Sequence, residues 1–275
     1  MGKVKNILYN TASIYYTVNG SGKTVVLLHG FGEDGSIWKY QADQLQKNFR
    51  VIVPDLPGWG RSEMLNEKEI SIEVYSEIIK KILDQELDTS AIPAGHDKVA
   101  LIGHSMGGYI AMGFAEKYPE NLNGLGLFHS TSFADTTEKI KTRLKGIEFI
   151  KNNGAVAFLK TSVPGLFTGH FKEKYPAVIN KLLSKGIQYL PETLIQYYQA
   201  MIKRPDRTEV LKDIRCPVLF ISGEKDLAVP IQYNLQECQL PAVAYIHIFD
   251  SVAHMAMLEE KNKSCEYLHD YLKNL

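Results

Sequence analysis

The stretch VALIGHSMGGYIAMGFAEKYP, Val99 to Pro119, holds a serine among small and apolar neighbours. Ser105 has Gly103 two residues before it, Gly107 two after it, and Gly108 next. An apolar run leads in and an amphipathic run leads out. Gly103-His104-Ser105-Met106-Gly107 has the form G-x-S-x-G, a nucleophile elbow that sits on a sharp turn from a strand into a helix. Such a turn holds its serine in a strained conformation, and side chains at Gly103 or Gly107 would collide with the neighbouring strand and helix. The hydroxyl is therefore expected to stand exposed at a helix N-terminus, where the dipole favours a developing negative charge.

A serine nucleophile needs a base, and the base needs an acid to orient it. FDSVAHMAML supplies His254, in a loop after the last predicted strand and before the final helix. ISGEKDLAVP supplies Asp226 after the preceding strand. Glu224 and Asp250 lie close by and stay open as the acid, but Asp226 stands at the usual distance beyond its strand. The third requirement is a pair of N–H donors for a tetrahedral oxyanion. Met106, next to the serine, is expected to give one, and Phe31 in LLHGFGEDGSIW the other, with a glycine on each side of it. His29 and His104 read as structural, bonded to backbone or turned away from the serine.

Outward from the elbow, TVVLLHG (24–30), VIVPD (51–55) and LNGLGLFHS (122–130) are apolar runs suited to strands buried on both faces of a parallel sheet. PVLFISG and AYIHIF continue the pattern after Cys216, while SIYYTVNG (13–20) alternates as a half-buried strand does. Tyr75, Ile78, Ile79, Ile82 and Leu83 fall at helical spacing, and a last amphipathic helix is expected from about Met257 to Tyr271. Strand and helix alternating in this order imply a doubly wound, mostly parallel α/β sheet. From 131 to 215 only helices are predicted, starting at a capping box on Asp135 and Glu138, stopping at Asn153-Gly154, and restarting at Pro176 and Pro191. The division is thus 1–130 with 216–275 as core, and 131–215 as a helical cap inserted over the sheet's carboxyl edge.

Of the 275 residues, 45% are hydrophobic and 23% charged, and the formal net charge is zero, which argues against a nucleic-acid binder. Cys216, Cys238 and Cys265 are too few and scattered for a disulfide framework or a zinc site and read as reduced, mostly buried thiols. No histidine spacing suggests a metal and no glycine-rich dinucleotide fingerprint appears, so no cofactor is expected. NGSGKT (19–24) imitates the end of a phosphate-binding loop, but Thr17 stands where that pattern needs glycine and a strand follows the lysine. With no signal-like or membrane-spanning run, a cytoplasmic protein is expected. The oligomeric state stays open.

With HGFG, VIVPDLPGWGRS, GHSMGG, PVLFISGEKDLAVP and AHMAMLE in this order and spacing, the chain resembles the α/β-hydrolase family, specifically its cap-bearing serine hydrolases. The resemblance covers essentially the whole chain. It implies that DLPGWGRS (55–62) is architectural, and Ser105 argues against the family's dehalogenases and epoxide hydrolases, which carry aspartate there. The expected activity is hydrolysis of carboxylic esters of a small-molecule substrate through an acyl-enzyme on Ser105. C–C bond hydrolysis, amide cleavage, lyase chemistry and acyl transfer suit the same residues, and a ligand-binding protein without turnover is a rival of another class.

Charge is uneven. Residues 131–215 hold fifteen Lys and Arg against eight Asp and Glu, a net of +7, and the remainder carries −7. A basic cap over an acidic body suggests anionic substrates. Lys203, Arg204 and Arg207, beside a proline break, are the first candidates, set against a reading in which the basic residues, including those from Lys139 to Lys151, lie on solvated helix faces.

Overall fold

The computed structural model describes residues 2–67, 70–87 and 98–275. Among the described residues eight strands form one sheet: β1 (Lys3–Tyr9), β2 (Ala12–Asn19), β3 (Thr24–Leu28), β4 (Arg50–Pro54), β5 (Val99–His104), β6 (Leu122–Phe128), β7 (Val218–Gly223) and β8 (Ala244–Phe249). Their order is β1-β2-β4-β3-β5-β6-β7-β8, with β1–β2 and β2–β4 antiparallel and the other pairs parallel. The helices are α1 (Lys39–Leu45), α2 (Ile72–Glu86), α3 (Met106–Lys117), α4 (Thr137–Ser162), α5 (Gly169–Lys174), α6 (Pro176–Gly186), α7 (Pro191–Lys203), α8 (Thr208–Asp213), α9 (Ile231–Glu237), α10 (Ala256–Glu259) and α11 (Lys261–Lys273).

The apolar runs become strands because only a sheet covered on both faces can hide them; every residue of β3, β5 and β7 is buried. In α2, Tyr75, Ile78, Ile79, Ile82 and Leu83 are buried as their spacing requires. β1 lies outside the predicted strands. It is an edge strand, mostly exposed, whose lysines and asparagine hide its period. The expected final helix is two, α10 and α11, broken at Glu260, whose φ of −130° is not helical.

Between β6 and β7 the regular elements are helices, α4 to α8. The capping box expected at Asp135 does not form. Thr136 caps α4 instead, its hydroxyl accepting from the Lys139 N–H at 3.2 Å. Asp135 is taken by two guanidiniums, Arg143 Nε at 2.5 Å and Arg204 Nη1 at 2.8 Å. The stop expected at Gly154 is a kink: that residue has φ +83°, and the helix resumes to Ser162. The two ends of the insertion meet, since the Arg207 N–H donates to the Ser132 carbonyl at 2.9 Å and Arg204 Nη2 to the Phe133 carbonyl at 3.0 Å. At its entry the buried Glu237 carboxylate accepts from the Thr131 hydroxyl at 2.6 Å and from the Ser132 N–H at 2.6 Å. At its exit the buried Arg207 pairs with Glu116 at 2.8 Å and with Glu73, tying the insertion to α2 and α3.

The 55–62 loop is architectural here. Asp55 accepts from the Gly35 N–H at 2.9 Å and the Arg61 N–H at 3.1 Å, and the Ser62 hydroxyl donates back to the Asp55 carbonyl. The three cysteines are free, but only Cys265 is buried; Cys216 and Cys238 are half-exposed, less hidden than expected. Gly20 and Gly22, with φ of +72° and +96°, make the 19–24 segment a tight turn into β3. Among the described residues no helix is long and apolar enough to cross a membrane.

Candidate active site

β3, β5, β6, β7 and β8 run parallel, so their carboxyl ends share one edge, where a doubly wound sheet gathers its functional groups. Ser105 follows β5 with φ +51° and ψ −117°, in a region that non-glycine residues seldom enter, and heads α3. Its neighbours show why the glycines are needed. A Cβ at Gly103 would land on the Gly107 carbonyl, one at Gly107 would sit 2.7 Å from the Leu28 and His29 carbonyls, and one at Gly108 would strike the Ser130 hydroxyl. The Ser105 N–H donates to the Phe128 carbonyl at 3.0 Å and its own carbonyl accepts from Ser130 Oγ at 2.7 Å, which fixes the turn.

His254 and Asp226 come together. His254 Nδ1 donates to Asp226 Oδ2 at 2.7 Å, and Asp226 Oδ1 accepts from the Ala228 and Val229 N–H groups at 2.8 and 2.9 Å. Glu224 and Asp250 are exposed and make no such contact. Burial works to raise the Asp226 pKa, but the facing histidines, His254 and His129, outweigh it and hold the carboxylate far below its ordinary range. The His254 N–H donates to the Leu166 carbonyl of the insertion at 3.0 Å. Met106 is the first residue of α3, so its N–H has no intrahelical acceptor. Phe31 follows β3 between Gly30 and Gly32, and the φ of +76° at Gly32 helps turn the chain there. Among the described residues no protein acceptor takes either N–H.

Ser105, His254 and Phe31 line one cavity of about 190 Å³, closed from the insertion side by Lys139, Arg143 and Tyr198. Its apolar wall comes from Leu159, Val163, Leu166 and Met201. Of the insertion's aromatics only Tyr198 reaches it, stacked flat on the Phe31 ring at 4.5 Å. A larger cleft of about 630 Å³ opens around Pro119, Leu122 and Cys216, near the starts of β6 and β7, away from every group named above. Arg204 and Arg207, the first candidates for an anion role, do not line the cavity, and they are not solvated either; both are buried in ion pairs that hold the insertion in place. Lys203 is likewise absent from its wall. The reading of solvated helix faces holds for Lys141, Lys145 and Lys151, which are exposed, but Arg143 is buried and Lys139 half-buried.

Three histidines sit where strands end, and their roles differ. His29 is structural as expected: Nδ1 donates to the Gly30 carbonyl at 2.8 Å, Nε2 accepts from the Leu56 N–H at 2.9 Å, and burial keeps the ring neutral. His104 does more than anticipated. Its Nδ1 meets Glu33 at 3.0 Å and its Nε2 meets the His254 carbonyl at 3.0 Å. Both partners only accept, so both ring nitrogens carry protons. Burial alone would lower the pKa of His104, but Glu33 raises it, and the Glu33 carboxylate is held below its ordinary range in return. A buried ion pair thus braces the backbone of His254.

His129 escaped the sequence reading. It follows β6 with φ +49°, is fully buried, and donates from Nδ1 to Asp226 Oδ2 at 3.0 Å, the oxygen that His254 also uses. Burial pushes its pKa down to about 4, so the ring is neutral. The available signal was positional: LLH, IGH and LFH each place a histidine at the carboxyl end of a strand. His129, Asp226 and His254 bring potential metal ligands within 4.8 Å of one another. Both Nδ1 protons are committed to Asp226 Oδ2, while His129 Nε2 is buried with no hydrogen-bond partner among the described residues.

Residues 25–263 match the sequence model of the alpha/beta hydrolase family. A 2-hydroxy-6-oxononadienedioate/2-hydroxy-6-oxononatrienedioate hydrolase from Paraburkholderia phymatum is 27% identical over 282 residues, covering 94% of this chain and 90% of that protein. The protein of the same name from Escherichia coli K12 is 28% identical over 279 residues, covering 95% and 91%. A thermophilic esterase from Thermogutta terrifontis, solved with malate bound, superposes with a TM-score of 0.89 at 26% identity, covering 99% of this chain and 98% of that one. An enol-lactonase from Burkholderia xenovorans shares the fold, with a TM-score of 0.85 at 23% identity over 98% and 100% of the two chains.

Proposed function

The chain belongs to the alpha/beta hydrolase family, and on that premise we propose that it hydrolyses carboxylic esters through an acyl-enzyme on Ser105. The observation that carries the reading is a serine at φ +51° heading a helix, in a cavity it shares with a histidine whose Nδ1 is held by a buried carboxylate. Ser105 Oγ attacks the ester carbonyl while His254 Nε2 takes its proton. Asp226, ionised and tied to two backbone N–H groups, fixes the His254 tautomer and stabilises the imidazolium that forms. The Phe31 and Met106 N–H groups hold the oxyanion. His254 then protonates the leaving alcohol, and water releases the acid by the same steps in reverse. The insertion, 131–215, acts as the cap that bounds the acyl site.

Fluorophosphonate labelling and turnover of para-nitrophenyl butyrate test this directly. Wild type is expected to label stoichiometrically at Ser105. Ser105→Ala is expected neither to label nor to turn over, with a loss of about 10⁴-fold or more in kcat and an unchanged fold. An alanine variant that keeps more than a few per cent of wild-type activity refutes the assignment of the nucleophile.

A second reading is favoured by the names of the relatives at 27% and 28% identity, both hydrolases of a 2-hydroxy-6-oxo dienedioate or trienedioate. The same serine, histidine and oxyanion donors serve C–C bond hydrolysis of such a ketone. A β-diketone run beside the ester separates them, because cleavage of the diketone with no ester turnover reverses the order of the two readings.

A further inference from the structure

The cavity wall contributed by α4 carries more positive charge than its protein neighbours balance. Lys139 and Arg143, one helical turn apart, both line it. The single carboxylate of Asp135 is shared by Arg143 and Arg204, so it neutralises one guanidinium and leaves the other's charge over. Lys139 adds a further positive charge. Its Nζ donates to the Ala228 carbonyl at 2.7 Å, and among the described residues no carboxylate lies within ion-pairing distance of it. Glu33, which lines the cavity from the loop after β3, is occupied by His104.

An ammonium has three donors, and one neutral carbonyl satisfies one of them. Half-burying the rest is unfavourable unless an anion completes the site. Burial and the neighbouring Arg143 charge lower the Lys139 pKa and outweigh the opposing pull of the Asp135 and Asp226 carboxylates, neither of which pairs with it directly. The position is also built. Ala228, which receives Lys139, belongs to the turn whose N–H groups hold Asp226. Arg143 lies over the Tyr198 ring at 5.4 Å, and Tyr198 stacks on Phe31. The two cations therefore stand between the loop of the acid and the loop of the oxyanion donor, fixed at both.

We propose that the cavity takes an ester bearing a carboxylate, received by Lys139 with Arg143 beside it, and that the preferred substrate is a monoester of a short dicarboxylic acid. This rests on the ester reading above and deepens it. The cavity, about 190 Å³, is small among ligand pockets and limits the acyl chain to a short one. Lys203, Arg204 and Arg207, the basic residues singled out from the sequence, have no part in it.

The test compares monomethyl glutarate with methyl glutaramate, which differs only in replacing the carboxylate by an uncharged amide. For wild type at low ionic strength, kcat/KM is expected to favour the glutarate ester, and added salt is expected to reduce that preference. In Lys139→Gln the preference is expected to fall about tenfold, the worth of one partly desolvated charge-assisted hydrogen bond, and Lys139→Arg is expected to keep most of it. A second arm needs no turnover. Binding of free glutarate to Ser105→Ala protein, followed by calorimetry, is expected to weaken about tenfold when Lys139→Gln is added. An amide ester preferred by wild type, or a preference and a glutarate affinity that Lys139→Gln leaves alone, overturns the proposal. If neither ester turns over but glutarate binding depends on Lys139, the anion site stands and the ester reading falls.

Discussion

Replacing Asp226 with asparagine keeps the shape of the site and reverses one proton. In the native protein Oδ1 accepts from the Ala228 and Val229 N–H groups at 2.8 and 2.9 Å, while Oδ2 accepts from His254 Nδ1 at 2.7 Å and His129 Nδ1 at 3.0 Å. Two backbone donors cannot face an amide NH₂, so the asparagine oxygen must take the Oδ1 place and its NH₂ must face the two imidazoles. His254 Nδ1 then has to accept, which moves the ring proton to Nε2, the atom that must take the proton of Ser105. The base is left in the wrong tautomer, and the loss of kcat is expected to be about 10⁴-fold, equivalent to about 5 kcal/mol on the barrier. Steady-state hydrolysis of para-nitrophenyl butyrate reads the effect, fluorophosphonate labelling of Ser105 is expected to slow in parallel, and near-UV circular dichroism checks the fold. Glu224→Gln and Asp250→Asn are the controls, both at exposed positions. A loss of less than about tenfold in Asp226→Asn, or an equal loss in either control, refutes the argument.

Two further outcomes bear on how the site is supported. His129 has a folded pKa of about 4 against an ordinary value near 6.5, so between those values the unfolded chain takes up a proton that the native state refuses, and stability falls as pH falls. From about pH 7 to about pH 4, urea unfolding of wild type is expected to lose about 3 kcal/mol more than that of His129→Asn; parallel curves contradict the assignment. Gly103→Ala drives a Cβ into backbone atoms of Gly107 and Gly108 and is expected to destabilise by about 3 kcal/mol or more, whereas Gly169→Ala, with nothing within 4 Å, is expected to be neutral or mildly stabilising. Thermal melts of the two variants decide it, and similar melting temperatures refute the packing account of the elbow.

What was legible in the chain was local or paired by order. The strands that are apolar along their whole length announced themselves, and so did the elbow, because its three glycines answer to three nearby collisions. Asp226 and His254 were legible because each follows a strand at the same edge of the sheet. What was hidden depends on partners distant in sequence. His129 meets Asp226 across 97 positions and Glu33 meets His104 across 71, and neither pairing leaves a local trace. The basic residues show the same limit. Composition located the surplus charge in 131–215, but burial and the positions of Asp135, Glu73 and Glu116 decided which cations stand at the cavity. β1 and the break at Glu260 were missed for a simpler reason, since an exposed edge strand and a one-residue interruption both blur the hydrophobic period.

The closed stem of the insertion bears on how such a protein diversifies. Ser132 and Phe133 at the entry bond directly to Arg207 and Arg204 at the exit, while Glu237 and the Glu73–Arg207–Glu116 clamp hold each side to the core. The ends of the excursion stay together whatever lies between them, so its length and contents are free to drift with little entropic consequence for the sheet. Inheritance can therefore treat the intervening helices as an exchangeable cassette. Transplanting residues 134–203 from a relative, with the flanking clamps retained, is a route by which one ancestral scaffold acquires new appetites without relearning how to fold.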